Sequence, residues 1–591
     1  MKTKLLMASA AALALTGGVA ATFDPPEAGA PFLDPRLLAA SMCGVTDEIS
    51  SRRAFFFQIA AAQELDGGLG AAGLLPSATL DVVSRNISTA SREAQNWFNQ
   101  GLAHTFNFNH DAAILAFRKA QSADPGCAMC YWGEAFAWGP NINAPMVADA
   151  YAPAYLAAAK AKERRDTANT VEQALIDAIA VRYTIDPPAD RSSLDAAFAD
   201  KMEEASRAFP QDDLVAVIAA EANMDTQAWA YWDALGREPV GRTARTIELL
   251  EGVLERNPDY PPAIHLYIHI TEASTDPFRA AKHADRLADL TPELGHLVHM
   301  PSHTYYRIGR WRQSLDHNLE AVGADMVFLA THEASPLYEY GYFTHNIHFA
   351  MTSAQMGGDG TTALEMAALL DEKLPIEMAS TQAWVQPIKA APYYAQAQFG
   401  DPEETIALPD PGEAMPFLQG AWRYARGDAL VQLGRVDEAR AEAAAIKALI
   451  DEADLSALED GGVPASGVLD VARHTVLARA AAAEGDYDTA IDLMESAVAL
   501  QEGFAYTEPP YWYYPAKQTL AAMVLQSGEA ERAEQLFLET LVDSPNNAYA
   551  FYGLHMAYDA QGERRGRKFA RALYKEAWLG ERRDRPELSR L

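Results

Sequence analysis

Small and large apolar residues recur along this chain at a fixed interval, and their spacing predicts pairs of antiparallel helices. Trp97, Gly101, Ala113, Phe117, Ala120 and Pro125 fall at positions where two helices can approach through the small residues while Phe117 fills the space behind them. Tyr131, Ala135 and Trp138 repeat the first helix of that pair 34 residues on. Farther along, a glycine is followed five residues later by a small residue: Gly309 with Ser314, Gly358 with Ala363, Gly434 with Ala439, Gly485 with Ala490 and Gly528 with Ala533. Glycine in that place reads as the end of a first helix, since it tolerates positive φ. A repeat of this length that buries its apolar face on its neighbours predicts a solenoid rather than several separate domains.

The segment from Trp97 to Pro125 resembles the tetratricopeptide repeat, with His104 in the usual Tyr place and the polar Gln100 in the usual Leu place. The resemblance implies an all-α, right-handed solenoid of helical hairpins in which the first helix of each pair lines a concave groove. The stretches CAMCYWG, GPNIN, GHLVHMPSH, YRIGRW and EPPYWYYP are similar to recurrent motifs of a group of exported bacterial tetratricopeptide proteins. That resemblance implies fold and compartment, and no activity comes with it. The chain divides into an irregular lead-in over 22–90, a solenoid arm over 91–398, a proline-rich hinge over 399–417, and a second arm with its cap over 418–591. Two departures from the repeat stand out. The 49 residues between Gly309 and Gly358 contain a 15-residue insertion around Glu333 to Tyr342, and Trp229 to Gly241 lengthens another connection. Such insertions tend to project from one face of a solenoid and are often functional.

Met1-Lys2-Thr3-Lys4, the apolar run Leu5 to Leu15 and Val19-Ala20-Ala21 have the three parts of a secretory signal peptide, with cleavage expected after Ala21. No later stretch approaches 18 uncharged apolar residues, so no membrane span is expected, and the mature chain is assigned to a bacterial periplasm or cell envelope. A formal charge of −33 excludes nucleic acid and anionic membranes as expected partners, because both demand basic patches. The sole basic concentration, Arg564, Arg565, Arg567 and Lys568, reads as a polar cap. Three Cys are too few for a disulfide scaffold. Tyr131 after Cys127-x-x-Cys130 removes support for haem attachment, and no Walker loop, dinucleotide fingerprint or nucleophile elbow is found.

The histidines change the picture. Ten of the 14 lie between His265 and His348, where even scatter would put about two. His265-x3-His269 recurs 34 residues later as His299-x3-His303, so two imidazoles stand one turn apart on each of two neighbouring helices. In the repeat alignment His348 takes the place of His299 and His345 that of His296, with Glu272 and Tyr306 extending the stripe. Pairs of imidazoles at i, i+4 supply two ligands to one ion, and a nitrogen-rich set with a carboxylate suits Zn, Cu or Fe. The candidate metal residues are His265, His269, Glu272, His296, His299, His303, His345 and His348. Met300 and Met351 lie near the stripe and slightly favour copper without deciding the metal.

Two readings stand beside each other. The stripe binds a transition metal, with a metal-dependent oxidase or hydrolase as an extension, or it is a polar groove of a scaffold that clasps a peptide or partner protein. Pro301 bears on the choice: if it starts a helix, the i, i+4 relation of His299 and His303 fails, and if it kinks one, the relation holds. His283, His317, His332, His474 and His555 are read as outliers. A second candidate group, Cys127 to Glu134 with the Asn-rich loop at Asn141 and Asn143, is read foremost as a structural disulfide or buried thiols, with a redox or metal role as the alternative and His104 and His110 as neighbours. The third, Tyr506 to Pro515, is read as a loop pinned onto the solenoid or capping a pocket.

Overall fold

The computed structural model describes residues 75–381, 385–581 and 585–591. The expected signal peptide and most of the lead-in lie outside the described residues. What is described is all-α, an array of helical hairpins with one isolated bridge between Trp232 and Pro239 as its extended pairing.

Local chemistry sets the hairpins. Asn109 caps Ala112 N–H at the start of His110–Ala123, Asp359 caps Thr362 N–H at the start of Gly360–Lys373, and Pro261 occupies the first turn of Pro261–Glu272, where a missing N–H costs nothing. All five turn glycines expected from sequence have φ between 72 and 100°, and each small residue five positions on is fully buried. That pairing is the hairpin's lock, because a left-handed residue stops the first helix and a small one admits the second. A β-carbon at Gly101 or Gly133 would stand 2.5 and 2.3 Å from the ring of Phe117, so the two helices clamp that one side chain.

The two arms do not extend away from each other. Gln386–Phe399 packs directly on Pro416–Gln432, so the proline-rich stretch between them, which includes the short helix Pro402–Ile406, loops out from a continuous stack. The second arm then returns across the first. Pro545 O accepts from Trp311 Nε1 at 3.1 Å, Gln355 O accepts from Tyr549 Oη at 3.2 Å, and Leu579 N donates to Gly357 O at 2.9 Å. From the other end Arg92–Phe106 touches Pro261–Glu272. The second arm therefore covers the surface expected as a concave groove, and His265, His269, Glu272, His296, His299, His303 and His348 are buried there.

Candidate metal centre

Three stretches deliver the histidines to that interior. Pro261–Glu272 is buried on every side and carries His265, His269 and Glu272 on one face. His296 and His299 come from Gly295–His299, and His303 from Pro301–Arg307. Met300 between them keeps helical angles, φ −53° and ψ −37°, so Pro301 interrupts the hydrogen bonding without redirecting the chain. His299 and His303 stay one turn apart, with their Nε2 atoms separated by 2.7 Å. The third stretch, Thr344–Gly357, carries His345 and His348 and grows out of a π-helical turn, Tyr338–Phe343, formed by the insertion read from sequence.

Six of the rings assemble into two groups of three. His265, His269 and His296 form one, and His299, His303 and His345 form the other; within each, the candidate ligand atoms lie within 4.8 Å of one another. A third group joins Glu272, His303 and Glu508. The two triads adjoin, with ring centroids of His269 and His303 5.5 Å apart and those of His296 and His299 6.0 Å apart. His348 belongs to neither triad and faces Tyr513 instead, centroids 5.9 Å apart.

Partners orient several rings through Nδ1. His269 Nδ1 donates to Glu272 Oε1 at 2.8 Å, and the other oxygen of that carboxylate lies 2.8 Å from His303 Nδ1, so one buried carboxylate ties a ring of each triad. Glu508, from the aromatic loop over 504–515, also accepts from His303 Nδ1. His299 Nδ1 donates to Asn318 Oδ1 at 2.6 Å, an assignment fixed because Asn318 Nδ2 donates to Ser314 O. His299 therefore carries its lone pair on Nε2, which faces His303 Nε2 at 2.7 Å. His265 and His296 meet through their Nε2 atoms at 3.1 Å. This is the arrangement in which an outer carboxylate or amide holds one ring nitrogen and leaves the other to ligate a metal.

Burial, reinforced by neighbouring imidazoles, pushes His265, His296, His299 and His345 well below the ordinary histidine range, so they are neutral at pH 7. Burial would lower His303 as well, but Glu508 and Glu272 outweigh it and hold it up to about 10. Glu508 in turn is pushed up to about 7 by burial and by Glu272, against the pull of His303. Neutral imidazoles, with His303 giving up a ring proton on ligation, and two carboxylates on one edge fit a borderline transition-metal cation by donor chemistry.

Sequence reasoning missed three contributors. Glu508 lies in a loop singled out for its aromatic residues, not for its acid, and reaches the site only because the second arm folds back. Asn318 sits on a second helix, Trp311–Thr331, where the repeat places outward-facing residues. Phe108, in the first hairpin's turn with φ 53°, lays its ring 4.6 Å from His265 and 5.0 Å from His296. The other candidates settle elsewhere. Cys127 and Cys130 form a buried disulfide, Glu134 pairs with Arg118, and His104 and His110 bond to Gln100 and Asn141. His283 stacks edge-on against Tyr267, and His317 pairs with Glu320.

Fold and site together define a helical-hairpin solenoid that encloses a polyhistidine core. Residues 94–127 match the family described as tetratricopeptide repeat. Among solved structures, the chain is similar to the Cut9–Hcn1 hetero-tetramer of the APC/C, with 13% identity, 82% of this chain and 76% of that one covered, and a TM-score of 0.29. It is also similar to the human IFIT1 dimer with m7Gppp-AAAA, at 12% identity, 85% and 93% coverage and a TM-score of 0.27, and to yeast Tom70, at 12%, 80% and 90%, and 0.27. No curated protein sequence matches the chain. The solenoid is a scaffold compatible with protein binding, and among the described residues no helix is long and apolar enough to cross a membrane.

Proposed function

We propose that this chain is an exported solenoid that binds two transition-metal ions, one in each histidine triad. The observation that supports it most is the double triad itself: six imidazoles from three helical stretches, five of them buried, with candidate ligand atoms gathered in threes. Six imidazoles exceed what one tetrahedral ion takes, and three per ion leave an open position of the kind catalysis by a metal needs. Zn, Cu or Fe suit the donors; a hard oxygen-seeking cation does not. His269, His296, His303 and His345 also line a cavity, which supports the extension to a metal-dependent oxidase or hydrolase, since a substrate there would reach the open positions. Export to the periplasm or cell envelope rests on the amino-terminal sequence.

The alternative, a peptide clasped against the histidines, has less support because five of the six rings are buried, packed against Phe108 and the 504–515 loop. Binding of a partner protein on outer faces is compatible with the metal reading. The test is elemental analysis of protein dialysed after loading with Zn, Cu or Fe in turn, with thermal melting alongside. Two ions per chain and a raised Tm are expected with at least one metal. Retention of none, with no thermal shift, overturns the proposal in favour of the scaffold.

A further inference from the structure

Beside the triads lies a cavity of about 120 Å3. One wall is the histidines; the rest is built largely from the rings of Trp229, Tyr342, Tyr394, Phe417, Tyr511 and Tyr513. Both insertions that sequence singled out contribute, Trp229 from one and Tyr342 from the other, so the departures from the repeat have been used to wall this space. Prolines Pro387, Pro509 and Pro510 make the rest of the lining rigid. Flat, stiff aromatic walls suit a flat ring, which they contact by stacking or edge-on, better than a flexible chain.

Charge narrows the occupant. The lining includes no Lys or Arg, and its charged pair, Glu508 with His303, is engaged with itself, so no free cation is offered to a carboxylate or phosphate. Among the buried polar atoms of the wall that lack a hydrogen-bond partner within the protein are His348 Nε2 and Tyr394 Oη, although both residues are only 8% exposed. Both adjoin the Tyr513 ring, whose centroid is 5.9 Å from that of His348 and 5.5 Å from that of Tyr394. A buried polar atom without a partner costs free energy that a ligand hydroxyl would recover. Burial also lowers His348 to about 3, so it is a neutral ring able to give or take one hydrogen bond.

We propose that this cavity binds a small uncharged phenol, its ring against the aromatic wall and its hydroxyl bonded to His348 Nε2. The site goes beyond the metal reading and does not require it, because the phenol's contacts are side chains outside both triads. Three probes separate the chemistry: 4-methylphenol, 4-methylcyclohexanol and 4-methylbenzoate, titrated calorimetrically into full-length protein stripped of metal by a chelator. Saturable binding of one 4-methylphenol per chain is expected, with the alcohol and the carboxylate each at least about tenfold weaker. His348→Leu should weaken phenol binding about tenfold, the worth of one hydrogen bond, and leave metal content unchanged. Ile388→Trp should abolish it, since Ile388 is a half-buried part of the lining; if tryptophan unfolds the chain, Ile388→Phe serves the same purpose. Binding of the carboxylate or the saturated alcohol as tightly as the phenol, or phenol binding that Ile388→Trp or Ile388→Phe leaves intact, would overturn the proposal. So would the absence of saturable phenol binding in the parent protein.

Discussion

The hairpins around Pro261–Glu272 and those around Ala465–Ala483 are built on one plan and filled in opposite ways. In Ala465–Ala483 the buried side chains are almost wholly apolar, Val468, Leu469, Val471, Val476 and five alanines among them, and the neighbouring helix closes on Leu469 through Gly420. In Pro261–Glu272 every residue is buried, yet two are histidines and one a glutamate. The first arm thus gives up hydrophobic contact at positions where the second keeps it, and buried polar groups cost free energy unless they are satisfied. A repeat fold tolerates this because each hairpin leans on its neighbours, so the loss is shared along the stack. What stabilises the polar core in return is the hydrogen-bonded set around Glu272, Glu508 and Asn318, and, on our proposal, the metals.

The contrast breaks most sharply under a double substitution. His269→Ala with His303→Ala removes one ligand from each triad and should abolish stoichiometric metal binding. A ligand present at 100 to 1,000 times its Kd stabilises by about 3–4 kcal/mol, and that rise in melting temperature should vanish with it. His555→Ala, in the second arm, should leave both intact. Elemental analysis and paired thermal melts with and without metal decide it.

A subtler change tests the link between triads. Glu272→Gln keeps the shape but cannot accept at full charge from His269 and His303, and the loss of such an outer partner lowers metal affinity about 10- to 100-fold. Competition titration against a chromophoric chelator measures this. An unchanged affinity would mean that Glu272 neither ligates nor orients.

The two arms should respond alike where they are built alike. A β-carbon at Gly101 would come 2.5 Å from Phe117, and one at Gly553 would come 2.1 Å from Phe537. Gly101→Val and Gly553→Val should each cost about 1–3 kcal/mol by overpacking, read from denaturant unfolding. Gly553→Val should leave metal content at the parent value.

Acid should separate the arms again, with a smaller effect. Burial lowers His104, and equally His110, from 6.5 to about 4. Their folded values lie below the unfolded one, so the unfolded chain binds more protons between about 6.5 and 4, and stability present above 6.5 is lost as pH falls through that window. At pH 5.5 each contributes a loss of about 1 kcal/mol, one pH unit below the unfolded value. Hydrogen exchange at pH 7 and 5.5 on metal-free protein should show the first arm opening preferentially, through these two and the other buried histidines of that arm; equal opening in both arms would remove the buried histidines as the cause.

How far this was legible in advance follows from which interactions are local. The hairpins, the turn glycines with their small partners and the pairing of His265 with His269 are set within a few dozen residues, by helix period, by the φ that glycine permits and by the volume a helix contact admits. Those properties belong to the sequence by itself, and so does the recurrence that sets His299 and His303 beside the first pair. Tertiary structure alone decided that the second arm covers the groove and that the six rings divide into threes. It also decided that His348 stands apart beside Tyr513 and that Glu508, 205 residues from His303, completes the cluster. Each depends on how small angular offsets between successive hairpins accumulate until the second arm meets the first, and such offsets come from side-chain packing summed over the whole stack, which no local spacing encodes.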